Sequence, residues 1–454
     1  MNTYQFVVTP RHEGIPRDRG SELDVLVRLQ APDTPADGTT QRRHALNVAC
    51  VIDRSGSMSG QPLEEAKRCV VRMMERLTAQ DRAACVIYDD RVRVLVPTAR
   101  VQGPSRFRAA LAPVRSGGTT NLHGGWLEGA QQLTHSLREN EISRVILLSD
   151  GQANAGLTDV AAIAAQCQEL ATAGVTTSTY GLGRDFNEDL MIAMARKGGG
   201  NNYYGETAAD LMEPFQEEFD LLQDLCARHV RLRISPSPGV RARVLNDYEP
   251  AARETWRLPD LAYGSEAWAL VRLEVTEDAL AIPLTPAQIH LMDLQFELVD
   301  METRERRFVG GPLSVPALPD DRLDQLAQDE VVASRAREVD SAALQMRIRD
   351  AVRAGDWDTA ERLLARAEQD AADHPWLRWM TRTVRYHLQQ RDGGQILKET
   401  AYSSTRLQRR LLAREDAADH VAFDPGEEDR KRRYLRRKTR QGRQDDSSNP
   451  DREG

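Results

Sequence analysis

Residues 47–60 read NVACVIDRSGSMSG. An apolar run that begins at Ala45 stops at Asp53, and Ser55 and Ser57 follow at every second position. Such a near-continuous run is the pattern of a strand covered on both faces, as in a parallel sheet. The next stretch, PLEEAKRCVVRMMERL from Pro62 to Leu77, changes period. Leu63, Ala66, Val70, Met73, Met74 and Leu77 recur at helical spacing. Pro62 suits a first helical turn, and Glu64 and Glu65 suit the positive end of the helix dipole. The stretch therefore predicts strand, turn and helix, with Asp53, Ser55 and Ser57 gathered at the carboxyl end of the strand.

Working outward, the same alternation continues. AACVIY (83–88) and RVRVLV (91–96) flank Asp89 and Asp90, which read as turn residues of a hairpin. LHGGWLEGAQQLTHSL (122–137) predicts a second helix and RVILLS (144–149) a second buried strand. DVAAIAAQCQELATAG (159–174) predicts a third helix with a glycine stop, and VTTSTYGLG (175–183) a third strand. KGGGNN (197–202) reads as a flexible connection, and residues 210–230 as the last helix. The predicted fold class is α/β, a doubly wound, mostly parallel sheet over residues 45–228.

Outside that span the texture changes. Short strands broken by Pro and Gly over 229–318 predict a β-sandwich-like region. The strands of residues 1–44 are orphaned unless they join it, which makes the α/β domain an insertion in a β-domain. Residues 319–423 predict a C-terminal α-helical region, in which AVRAGDWDTAERLLARAEQ resembles one tetratricopeptide-type hairpin. Residues 424–454 are charged and poor in apolar residues, the composition of a disordered tail, with the basic run RKRRYLRRKTRQGR at 430–443.

With 69 acidic against 61 basic residues, the net charge of −8 argues against bulk nucleic-acid affinity and leaves only the basic tail for it. No stretch has the form of a signal peptide or the length to span a membrane, so no membrane association is expected. The five cysteines, Cys50, Cys69, Cys85, Cys167 and Cys226, are odd in number and form no CxxC pair. They read as reduced, buried residues of a cytoplasmic protein.

Ligands of doubly wound sheets bind beyond the carboxyl ends of the strands. Asp53 lies there, and so does Asp150, which follows the second buried strand in VILLSDGQAN. The loop SGGTTNLHGG (116–125) brings Thr119 and Thr120 to the same edge. Taken singly, the serines suit helix capping and Asp150-Gly151 a turn. Together they form an all-oxygen set that suits a hard cation, Mg²⁺ first, Mn²⁺ second and Ca²⁺ third. A cation held largely by neutral hydroxyls keeps much of its positive charge and a replaceable position, which a carboxylate from another protein fills.

DRSGSM, GGTTNL and LLSDG resemble the three-part metal-ion-dependent adhesion site of von Willebrand factor type A domains. The resemblance spreads over three segments in order and covers about residues 45–228. It implies that Ser55, Ser57 and Thr120 ligate the metal directly, and that Asp53 and Asp150 act through water or switch in. Thr120 is preferred to Thr119 because family members carry one residue and then an aliphatic after the threonine, here Asn121 and Leu122. It further implies a non-enzymatic interaction protein whose partner offers an acidic residue, with any ATPase or signalling module on a separate chain. In the family, engagement is often coupled to movement of the last helix of the domain, here 210–230. The alternatives are a hydrolase at the same site, either metal-assisted or with Ser57 as nucleophile and His123 as base, and nucleic-acid binding through the tail. GSMSG places Met58 where a G-x-S-x-G nucleophile elbow needs serine, and no Walker A, kinase or HExxH signature occurs.

Overall fold

The computed structural model describes residues 3–33, 44–135, 137–138, 141–150, 152–182, 187–205, 215, 218–219, 221–280, 288–371, 374–409 and 412–413. The tail at 424–454 and its basic run lie outside the described residues. The chain divides into two units, Met1–Gln41 with Leu225–Gly454, and Arg42–Asp224. Strands β1 (Gln5–Pro10), β2 (Ile15–Pro16) and β3 (Ser21–Gln30) open the first of these.

The unit Arg42–Asp224 runs β4 (Ala45–Asp53), α1 (Gln61–Arg76), β5 (Arg82–Tyr88), β6 (Val92–Arg100), α2 (Ser105–Leu111), α3 (Leu122–Thr134), β7 (Glu141–Ser149), α4 (Val160–Thr172), β8 (Val175–Leu182), α5 (Glu188–Lys197) and β9 (Gly199–Gly205). The strands form one sheet in the order β6-β5-β4-β7-β8-β9. Every neighbouring pair is parallel except β5 with β6. Burial of β4 on both faces explains its unbroken apolar run. Ala49 and Val51 join the core with α3, whereas Cys50 turns the other way and meets Met73 of α1.

Helix α3 carries Gly125 and Gly129 despite their poor helix propensity, and packing gives the reason. A Cβ on Gly125 would lie 2.2 Å from the Tyr88 ring, and one on Gly129 2.3 Å from Val51. The missing side chains let α3 lie directly on β4 and β5. Trp126, fully buried, then donates from Nε1 to Thr177 Oγ1 at 3.0 Å. This close seat fixes where the loop entering α3, and hence Thr120, meets the strand ends.

Two local expectations are corrected. KGGGNN is not a flexible connection, because β9 begins at Gly199 and pairs with β8. A Cβ on Gly200 would lie 2.3 Å from the Thr177 carbonyl oxygen, so the glycine serves a close strand approach. The last helix does not reach residue 230. Phe215, Glu218, Phe219 and 221–223 are helical, but β10 (Leu225–Pro236) starts at Leu225. Leu225, Cys226 and Ala227 are all buried, which suits a two-sided strand better than an amphipathic helix end. Helix α2 has no counterpart in the sequence reading.

The other unit holds β11 (Val240–Val244), β12 (Pro250–Ala252), β13 (Thr255–Arg257), β14 (Leu261–Ala262), β15 (Ser265–Val275), β16 (Gln288–Asp300) and β17 (Arg306–Leu318). It adds α6 (Glu330–Arg353), α7 (Trp357–Asp370), α8 (Pro375–Gln389), α9 (Gly393–Arg409) and β18 (Leu412–Ala413). One sheet is ordered β1-β3-β15-β11, with β18 also on β15. The other is ordered β12-β13-β10-β16-β17-β2, with β14 also on β10. Strand β3 pairs along its whole length with β15, from Ser21 opposite Val275 to Gln30 opposite Glu266. Val332, Ala336 and Val339 of α6 pack on Leu26, Trp268 and Leu270. Among the described residues, no helix is long and apolar enough to cross a membrane.

Candidate functional site at the carboxyl edge of the parallel sheet

Asp53 is the last residue of β4, and in the parallel register it lies opposite Tyr88, the last residue of β5. Ser149 ends β7 on the other side. Three parallel strand ends therefore deliver their side chains to one edge. The Asp53 carboxylate is fully buried and held by three donors. Ser55 N donates to Oδ1 at 2.8 Å, Ser149 Oγ to Oδ2 at 2.6 Å, and Tyr88 OH to Oδ2 at 3.2 Å.

Burial pushes the Asp53 carboxyl up to about 6, and the charge of Asp150 pushes it the same way. The hydrogen bonds from Ser149 and Ser55 pull against that rise without cancelling it. Burial, reinforced by Asp53, likewise drives the Tyr88 phenol well above its ordinary value and keeps it a donor. Asp150 itself is buried and accepts from Gln152 N at 3.3 Å, and its carbonyl accepts from Asn187 N at 3.1 Å. Two carboxylates thus share a poorly solvated edge. The cation of the DRSGSM turn, Arg54, turns aside to form an ion pair with Asp89 and to donate to the Arg115 carbonyl at 3.0 Å.

The hydroxyls come from two loops. A single 3-10 turn at Gly56–Met58 follows Ser55, leaving Ser55 buried and Ser57 exposed with their Oγ atoms 3.2 Å apart. The loop before α3 is laced to this turn by Gly117 N donating to Arg54 O at 2.8 Å and Gly56 N to Gly118 O at 3.2 Å. Asn121 N donates to Asp89 O at 2.8 Å, and the Asn121 side chain caps α3 by accepting from Gly124 N. Of the two threonines, Thr119 is exposed and Thr120 is buried. Thr120 N donates to Asn154 Oδ1 at 2.7 Å, and Thr120 O accepts from Asn154 N and Ala155 N, each at 3.1 Å.

The structure thus carries Asp53, Ser55, Ser57, Thr120 and Asp150 on three neighbouring loops at one edge of the sheet. Sequence reasoning passed over Ser149, Tyr88, Asn154 and the depth of Asp89, which is buried as well as lying in a turn. Ser149 stands inside LLSDG, but its bond to Asp53 depends on two strands being neighbours. Among the described residues, no group of three or more His, Cys, Asp and Glu could hold a metal. A cation at this edge would rest on hydroxyls as much as on carboxylates, and that donor set fits a hard cation. His123 is turned to α4, where its Nε2 meets Gln166 Oε1 at 2.8 Å.

The von Willebrand factor type A domain model matches residues 47–218. An uncharacterized protein of Synechocystis is 24% identical over 309 residues, covering 64% of this chain and 69% of that protein. Protein YfbK of Escherichia coli is 28% identical over 205 residues, 45% of this chain but 36% of its own length. Human inter-alpha-trypsin inhibitor heavy chain H4 is 24% identical over 229 residues, and the chain spans only 25% of that relative. A von Willebrand factor type A structure from Catenulispora acidiphila covers 84% of this chain and 89% of its own at TM-score 0.64 and 19% identity. The ArnB paralog VWA2 from Sulfolobus acidocaldarius covers 88% and 98% at TM-score 0.59 and 17% identity. These likenesses in fold reach beyond the α/β unit into the flanking strands and helices. Residues 47–218 are a von Willebrand factor type A domain, and the chain carries a module of that protein-interaction and adhesion family.

Proposed function

We propose that this domain holds a divalent cation, Mg²⁺ foremost, and binds through it an acidic residue of a partner protein on a separate chain. The observation that carries the reading is the buried Asp53 carboxylate at the edge it shares with the buried Asp150, beside the paired hydroxyls of Ser55 and Ser57. Ser55, Ser57 and Thr120 would hold the ion, with Asp53 and Asp150 behind them. The cation would supply a positive centre for an incoming carboxylate. The chain's own part is to orient the hydroxyls: Asp53 fixes the Ser55 amide, the 3-10 turn exposes Ser57, and two loops clamp Thr120.

No chemical step is assigned to the site. Ser57 Oγ has Ser55 Oγ beside it, and the ring of His123 is engaged by Gln166, which disfavours a serine–histidine pair. The five cysteines are free and buried, which supports a reducing, cytoplasmic setting. Capture of partners on the immobilised protein, in Mg²⁺ and in chelator, tests the reading. A partner retained only by the wild type in Mg²⁺ and lost with Asp53→Ala is expected. A partner set indifferent to both metal and substitution would contradict it.

A further inference from the structure

The loop after β7 does more than carry Asp150. Four residues on, Asn154 reaches across to the loop that enters α3 and satisfies both backbone polar groups of Thr120. The side chain accepts from Thr120 N at 2.7 Å, and the Asn154 and Ala155 amides return to Thr120 O at 3.1 Å each. On its opposite side, the loop that carries Thr120 is tied to the DRSGSM turn through Gly117 and Gly118. The threonine is therefore held between the first and third segments of the edge.

We propose that Asn154 is a positioning residue for Thr120, setting the direction of its hydroxyl toward the cation. This rests on the metal reading given above. An amide oxygen on a short side chain fixes a backbone N–H in a way that a solvent molecule does not, because the backbone N–H of Asn154 is itself bonded to the Thr120 carbonyl. The backbone bonds from Asn154 and Ala155 survive any side-chain change, so the role belongs to the Oδ1 atom and not to the loop as a whole. Residues behind a metal ligand typically change metal affinity by about 10–100-fold when removed.

Three proteins test this by calorimetric titration with Mg²⁺ and by amide hydrogen exchange without metal: wild type, Asn154→Ala and Asn154→Asp. The expected results are an affinity about 10-fold or more weaker for Asn154→Ala, faster exchange of the Thr120 amide in that variant, and an unchanged melting temperature. Asn154→Asp keeps the acceptor and should restore both slow exchange and an affinity within about 3-fold of wild type. Equal Mg²⁺ affinity in wild type and Asn154→Ala would overturn the positioning role alone. A wild type that binds no Mg²⁺ would overturn the metal reading and this role with it, and the exchange data would then show a purely structural clasp.

Discussion

Ser149 Oγ lies 2.6 Å from Asp53 Oδ2, across the boundary between two parallel strands. It is the shortest of the three bonds to that carboxylate, and it opposes the effect of burial on the acid. Ser149→Ala should destabilise the metal-free protein at pH 8, where Asp53 is charged, by about 1.5–3 kcal/mol, the range for hydrogen bonds to charged groups. Urea unfolding at pH 8 and pH 5 checks this, with a smaller loss expected at pH 5.

The Asp53 carboxyl gives a pH signature with a defined sign. Its value of about 6 in the folded protein stands above the ordinary 3.8, so the folded state binds the proton more tightly than the unfolded state. Its contribution to stability is fully present below pH 3.8 and is lost as pH rises through about 6. In chelator, wild type should gain on Asp53→Asn by about 1 kcal/mol between pH 8 and pH 5. Parallel stability curves for the two proteins would refute this.

Glu218 anchors the last helical stretch of the α/β unit under its sheet. It is fully buried, pairs with Arg144 of β7, and accepts from Ser178 Oγ at 2.7 Å, Tyr203 OH at 2.7 Å and Asn201 Nδ2 at 2.6 Å. Burial alone would raise this carboxyl, but Arg144 and the three hydrogen bonds hold it below its ordinary 4.5. Glu218→Ala would remove the carboxylate that the buried Arg144 guanidinium faces and should cost about 3–5 kcal/mol. Thermal unfolding at neutral pH measures it. Because the folded value is depressed, the wild-type advantage is present above pH 4.5 and shrinks as the solution is acidified through the folded value.

Arg54 and Asp89 pair beside the edge, with Asp89 buried. Asp89→Ala should remove the ion-pair partner of Arg54, a carboxylate that also accepts from Arg91 N. The loss expected is about 3 kcal/mol of stability from breaking a largely buried pair. Arg54→Met should lose less, because Asp89 keeps its amide donor. Equal losses in chemical denaturation would contradict this division.

The α/β fold was legible where residues speak locally. The run from Ala45 to Ile52 needs two covered faces, and the Leu63 to Leu77 spacing needs one. The gathering of strand ends followed from alternation of strand and helix. What escaped depends on contacts far apart in the chain. Gly200 reads as a loop glycine until β8 lies against it, and Leu225 reads as helical until β16 and β14 pair with its strand. Ser149, Tyr88 and Asn154 are ordinary residues until Asp53 and Thr120 are placed beside them.

Manganese binding followed by electron paramagnetic resonance tests the central claim most directly, because free Mn²⁺ is counted in solution. Wild type should bind one equivalent, Mg²⁺ should displace it, and Asp53→Ala and Ser55→Ala should each abolish the binding while remaining folded. Retention of the same stoichiometry and affinity in both variants, or no binding by the wild type, would contradict a cation site at this edge.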